Sequence, residues 1–181
     1  KWAPARYLSD AYEVEGRRAL VLMCGDAKAR TPSPGGIEAA LIRAMGPGVS
    51  LVSTRGEGCA ALELFAAAAA QQPRAPDVVV LFPGLADVRQ GTPLSTYRWA
   101  LNAAVSLYES RPGESRLLVL ATPPPAPDPS APTTGDVDPR IMQYVEIVRE
   151  IAQKRHVAVA DLATATTARS KWWTWWMDDG R

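Results

Sequence analysis

Five short apolar runs punctuate the chain, and between them lie longer segments with helical spacing. Ala19–Met23, Val49–Ser53, Val78–Phe82, Leu117–Ala121 and Val157–Leu162 are nearly continuous in Val, Leu, Ile and Ala rather than alternating with polar residues. Strands of that kind are covered on both faces, as in a parallel sheet. The intervening patterns predict helices. Ile37–Met45 sets Ile37, Leu41, Ile42 and Met45 on one face, and Cys59–Gln72 is Ala-rich with Leu62 and Phe65 as its large contacts. Thr96–Glu109 offers Tyr97, Leu101, Ala104, Val105 and Tyr108, and Arg140–Lys154 offers Ile141, Tyr144, Val145, Val148 and Ile151. Strand followed by helix, repeated, requires right-handed crossovers. The prediction is a three-layer α/β/α domain with a five-stranded parallel sheet, built on flavodoxin-like lines.

Two stretches fall outside this alternation. Pro123–Pro139 holds seven prolines in seventeen residues and reads as a long surface loop leaving the fourth strand. It is either part of the ligand rim or a connection without a role. Residues 1–16, with Trp2, Tyr7 and Tyr12, read as an N-terminal arm, and residues 17–181 as the domain proper. Lys1 in the first position reads as a processed or trimmed chain.

Composition narrows the function classes. The chain has 181 residues, 20 Lys+Arg against 19 Asp+Glu, and a net charge of +1, with no basic cluster longer than a pair. Nucleic acid is therefore excluded as a general partner. The longest apolar stretch, Leu62–Ala70, is broken by Glu63 and is too short for a bilayer, so no membrane partner is expected. Cys24 and Cys59 form no zinc or CxxC spacing and are expected as small buried residues. With one histidine, His156, the sequence contains no metal or cofactor motif. His156 precedes the fifth strand and is expected on the rim opposite the crevice, as a solvated turn residue rather than a catalytic base.

In an open α/β sheet the residues just past the strands' carboxyl ends line the ligand crevice. Here these are Cys24-Gly25-Asp26-Ala27, Thr54-Arg55-Gly56-Glu57-Gly58, Pro83-Gly84-Leu85-Ala86-Asp87 and Thr122-Pro123-Pro124-Pro125, with Met177-Asp178-Asp179-Gly180-Arg181 at the end. This order resembles the SGNH (GDSL-type) hydrolases, esterases and acetyl-hydrolases that carry Gly-Asp-Ser, Gly, Gly-x-Asn-Asp and Asp-x-x-His in four blocks. Gly25-Asp26 matches the first block, Gly56 or Gly58 the second, Gly84 with Asp87 the third, and Asp179 the aspartate of the fourth. The resemblance runs from about Arg17 to the end.

The departures fall on the chemical positions. The resemblance places the nucleophile at residue 27, which is Ala27, and the oxyanion asparagine at residue 86, which is Ala86. Its histidine falls one residue past Arg181. An alanine cannot attack an acyl carbon, and loss of one oxyanion donor costs roughly 10²–10³ in rate. Two histories fit. In one, the domain is a non-catalytic binding or structural module that keeps the crevice. In the other, it is an acyl-ester hydrolase of the kind that acts on carbohydrate acetyl esters, inactivated by Ala replacement and C-terminal trimming. Its mechanism would use serine at 27, the Gly56 N–H and asparagine at 86, with a histidine oriented by Asp179. The first history is preferred. Asp26, Asp87 and Asp179 offer either an acid/base pair or, as the resemblance implies, backbone-bonding roles in the turns.

Lys171-Trp172-Trp173-Thr174-Trp175-Trp176 holds four of the six tryptophans. Some pack the domain, but burying all four is not expected. Trp172, Trp173, Trp175 and Trp176, with the crevice residues Asp26, Gly58, Gly84 and Asp87, are therefore the expected contacts for a glycan, an acyl-ester ligand or a protein partner.

Overall fold

A computed structural model describes residues 19–26, 49–56, 77–110, 117–128, 130, 134 and 136–168. The predicted arm, the helices at 37–45 and 59–72, and the tryptophan run lie outside them. Strands β1 (Ala19–Asp26), β2 (Val49–Gly56), β3 (Val78–Phe82), β4 (Leu117–Ala121) and β5 (Ala158–Ala160) form a sheet in the order β2-β1-β3-β4-β5. Each neighbouring pair is parallel. The fold is α/β, and the chain reverses direction across the sheet between β1 and β3.

All five residues of β3 are buried, because alternate side chains enter two different cores. Val79 and Leu81 join Leu118 and Leu120 on one face, and Val78, Val80 and Phe82 join Ala121 on the other. The first face is covered by α2 (Leu94–Glu109) and α3 (Pro139–Arg155), which follow a short helix α1 (Leu85–Gln90). Tyr97, Leu101, Ala104 and Val105 of α2, and Ile141, Tyr144, Val145, Val148 and Ile151 of α3, supply the buried stripes. Their spacing of three and four residues is the pattern read in the sequence. Trp99, on the other side of α2, is 66% exposed.

Helix α3 begins where its sequence dictates. Asp138 accepts the Arg140 backbone N–H at 2.9 Å and is held by the Arg140 guanidinium at 2.6 Å, with Pro139 in the first helical position. It ends at His156, whose φ of 54° and ψ of 36° place a non-glycine residue in the left-handed region. His156 is exposed and precedes β5, at the sheet end away from the crevice, as expected.

Four readings need correction. β1 and β2 each run three residues past their apolar runs, so Cys24–Asp26 and Thr54–Gly56 are the last residues of the strands rather than loop residues beyond them. The fifth strand is three residues long, not six: Asp161 leaves the sheet and caps a further helix, α4 (Leu162–Thr167), so Leu162 is helical. The Gly84–Asp87 segment is not a plain turn, since Ala86 and Asp87 already belong to α1. The proline-rich stretch is partly paired: Pro127 bridges Val137 antiparallel, the Asp128 N–H meets the Asp136 carbonyl at 2.8 Å, and the Asp138 N–H meets the Ala126 carbonyl at 2.9 Å.

Candidate active site

Register brings the carboxyl ends of the strands level. Asp26 is paired with Gly56 across β1 and β2, and Gly25 with Phe82 across β1 and β3. Pro83 and Gly84 therefore leave β3 beside the end of β1, at the point where the strand order reverses. Ligands of such sheets bind at that point. On the far side, Leu81 pairs with Leu120 and Ala121 with Ala160, so Thr122, Pro123 and Asp161 continue the same edge. Asp26, Gly56, Gly84, Ala86 and Asp87 are thus gathered on one edge of the sheet. Ala27, Gly58, Asp179 and the four tryptophans at 172, 173, 175 and 176 lie outside the described residues.

Gly84 is closely packed on this edge. Its φ is 114°, a conformation that a side chain resists. A Cβ there would also stand 3.0 Å from the Tyr97 hydroxyl and 3.2 Å from Pro123 Cγ. Gly84 caps α1, donating no side chain, and its carbonyl accepts the Val88 N–H at 2.9 Å. Ala86, the second helical residue, is half-buried, whereas Asp87 is 4% exposed. The Asp87 carbonyl accepts the Thr92 N–H at 2.9 Å, closing the turn after α1.

Beneath α1 lie two tyrosines. Tyr97 and Tyr144 meet edge to face, with ring centroids 4.9 Å apart and planes at 65°. Burial, then the Asp87 charge and Tyr144, pushes the Tyr97 phenol well above its ordinary pKa. Burial, then Asp87, likewise raises that of Tyr144. Both phenols stay protonated through the neutral range. The Tyr144 hydroxyl donates a hydrogen bond to the Thr92 carbonyl, while the buried Tyr97 hydroxyl has no hydrogen-bond partner.

The β4–β5 side of the edge is held by Asp161. It accepts from Arg149 Nε and Nη2 at 3.1 and 2.9 Å, from the Thr164 N–H at 3.1 Å and from the Thr164 hydroxyl at 2.9 Å. Thr122, fully buried at the end of β4, donates to Asp161 at 3.3 Å and accepts the Ala163 N–H at 3.0 Å. Burial works to raise the Asp161 carboxyl pKa, but these donors outweigh it and hold it below the usual range. Sequence reasoning placed Asp161 inside a strand. An aspartate directly ahead of a helical run is the N-cap signal that could have found it.

Among the described residues no group of three or more His, Cys, Asp or Glu could hold a metal ion, and no helix is long and apolar enough to cross a membrane.

Comparison with known proteins agrees with this arrangement. No curated protein sequence matches the chain. Among solved structures, a lipase/acylhydrolase from Enterococcus faecalis is similar with a TM-score of 0.63 and 23% identity, over 84% of this chain and 80% of that one. The acetyl xylan esterase AlAXEase is similar with a TM-score of 0.63 and 20% identity, over 82% and 80%. AlinE4, an SGNH-hydrolase family esterase, has a TM-score of 0.66 and 16% identity, over 87% and 82%. These likenesses show the SGNH-hydrolase fold. The sequence itself matches the GDSL-like lipase/acylhydrolase family over residues 21–181, and with motif blocks and strand ends in the same order the chain belongs to that family.

Proposed function

We propose that this domain is a non-catalytic member of its family, a binding module that retains the hydrolase crevice for an acylated glycan without cleaving it. The observation that carries the reading is the residue pair at the two chemical positions. Ala86, two residues after Gly84 in α1, stands where the family's third block has asparagine, and Ala27, directly after Asp26, stands where the first block has serine. A methyl group at 27 supplies no nucleophile and a methyl at 86 no oxyanion donor. Meanwhile the edge that would hold a ligand is tightly built: Gly84 at φ 114°, Asp87 buried, and Thr122 and Asp161 fully engaged. Asp26, Gly84 and Asp87 then act by shaping the crevice loops, and Trp172, Trp173, Trp175 and Trp176 offer stacking faces to sugar rings.

A second reading is favoured by the esterases among the structural neighbours: an acyl-ester hydrolase whose serine and asparagine have been replaced. Two measurements on the purified chain test the non-catalytic binding reading. Turnover of p-nitrophenyl acetate is followed against a heat-treated control, and binding of an acetylated xylo-oligosaccharide by calorimetry. Saturable binding without turnover is expected. Turnover above the control would defeat the non-catalytic reading. Absence of oligosaccharide binding, with a protein partner retained through the tryptophan segment, would replace the glycan by that partner.

A further inference from the structure

We propose that Tyr97 and Tyr144 are positioning residues of the crevice, a two-ring clamp that grips α1 at both ends and fixes where residue 86 stands. The proposal rests on the reading that position 86 faces the crevice ligand. Helix α1 has six residues, too few to hold helical structure alone, and Gly84 gives it no side-chain cap. Its place must come from tertiary contacts. At its start, the Tyr97 hydroxyl closes over Gly84, 3.0 Å from where a Cβ of that residue would stand. At its end, one residue beyond the capping Gly91, the Thr92 carbonyl accepts a hydrogen bond from the Tyr144 hydroxyl, and the Thr92 N–H donates to the Asp87 carbonyl.

The two rings touch each other edge to face, so the two grips are parts of one body. That body is anchored deeply. Tyr97 is 1% exposed on α2 and Tyr144 5% exposed on α3, and both lie in the larger hydrophobic core. The helices of the core thereby set the height and tilt of α1 over the carboxyl ends of β3 and β4. Asp87, buried in the same helix, contributes its charge to both phenols' surroundings and favours their protonated forms.

Tyr144→Phe tests the clamp, because it keeps the ring and its edge contact and removes only the donor to Thr92. Amide hydrogen exchange on the full chain is expected to quicken about tenfold in residues 85–92, with 139–155 and 117–121 unchanged. Affinity for the acetylated xylo-oligosaccharide is expected to fall several-fold. Unchanged exchange at 85–92, or an equal rise throughout α3, would overturn the clamp. Faster local exchange with full affinity would overturn its positioning role. If the unsubstituted chain binds no oligosaccharide, the functional reading has failed, and the exchange result still decides the clamp.

Discussion

Replacing Gly84 by alanine probes the crevice edge most directly, because two independent costs meet at one Cβ. The first is conformational: φ of 114° with ψ of −30° lies where a side chain clashes with its own backbone, at about 1–3 kcal/mol. The second is packing. The added carbon would stand 3.0 Å from the Tyr97 hydroxyl and 3.2 Å from Pro123 Cγ. Both neighbours are buried, so relief by movement is limited, and overpacking of this kind costs about 1–3 kcal/mol. Alanine's smaller unfolded-state entropy returns about 0.4–1 kcal/mol. The net loss is about 1–5.5 kcal/mol, which for a chain of this length lowers Tm by about 2–22 °C. Thermal unfolding followed by circular dichroism reads it. The two costs separate in a double-mutant cycle. Tyr97→Phe removes an oxygen that has no hydrogen-bond partner, so alone it should cost under about 1 kcal/mol. In its presence Gly84→Ala should lose roughly 1 kcal/mol less, a coupling typical of touching residues. A Gly84→Ala protein within about 0.5 kcal/mol of the parent would refute the conformational argument. Strict additivity would refute the contact with Tyr97.

Other perturbations follow from the same geometry. Asp138→Ala removes the cap of α3 and its Arg140 partner, and urea unfolding should show a loss of about 1 kcal/mol at pH 7. The Arg140 hydrogen bond, against burial, holds the Asp138 carboxyl below its ordinary range. Its contribution is therefore full above the unfolded value near pH ~4 and fades as pH falls through the lower folded value. The stability gap between parent and Asp138→Asn should accordingly narrow between pH 5 and pH 2 (roughly that window), and a gap that widens on acidification would contradict the assignment. His156→Gly, at φ 54°, should raise Tm by about 1–4 °C, since glycine tolerates the left-handed C-cap. Ala27→Ser alone should give no p-nitrophenyl acetate turnover above a heat-treated control, because Ala86 still supplies no oxyanion donor. Activity in that single variant would show that the asparagine is dispensable here.

What the sequence reveals, and what it conceals, follows from which interactions are local. The limits of β3 and β4 are legible because apolar runs stop abruptly at Pro83 and Thr122. β1 continues through Cys24, Gly25 and Asp26, past its apolar run, because the ladder with β2 is a backbone pairing indifferent to side-chain polarity. Helix α1 has no periodic signature in six residues between two glycines, and Asp161 hides its capping role at the end of an apolar run. Helical spacing marks Tyr97 and Tyr144 as core residues, correctly, but says nothing of a phenol that reaches a carbonyl 52 residues away. The candidate site is legible for a different reason. Once the chain is read as alternating strands and helices, parallel pairing forces every strand's carboxyl end to one edge, and the motif blocks sit at those ends. Register then fixes the detail: Asp26 opposite Gly56 and Gly25 opposite Phe82 set residue 84 next to β1 whatever its neighbours are. The carboxyl-end edge is therefore held by backbone ladders, by Gly84 and by the buried tyrosines, and its geometry does not depend on a side chain at position 86.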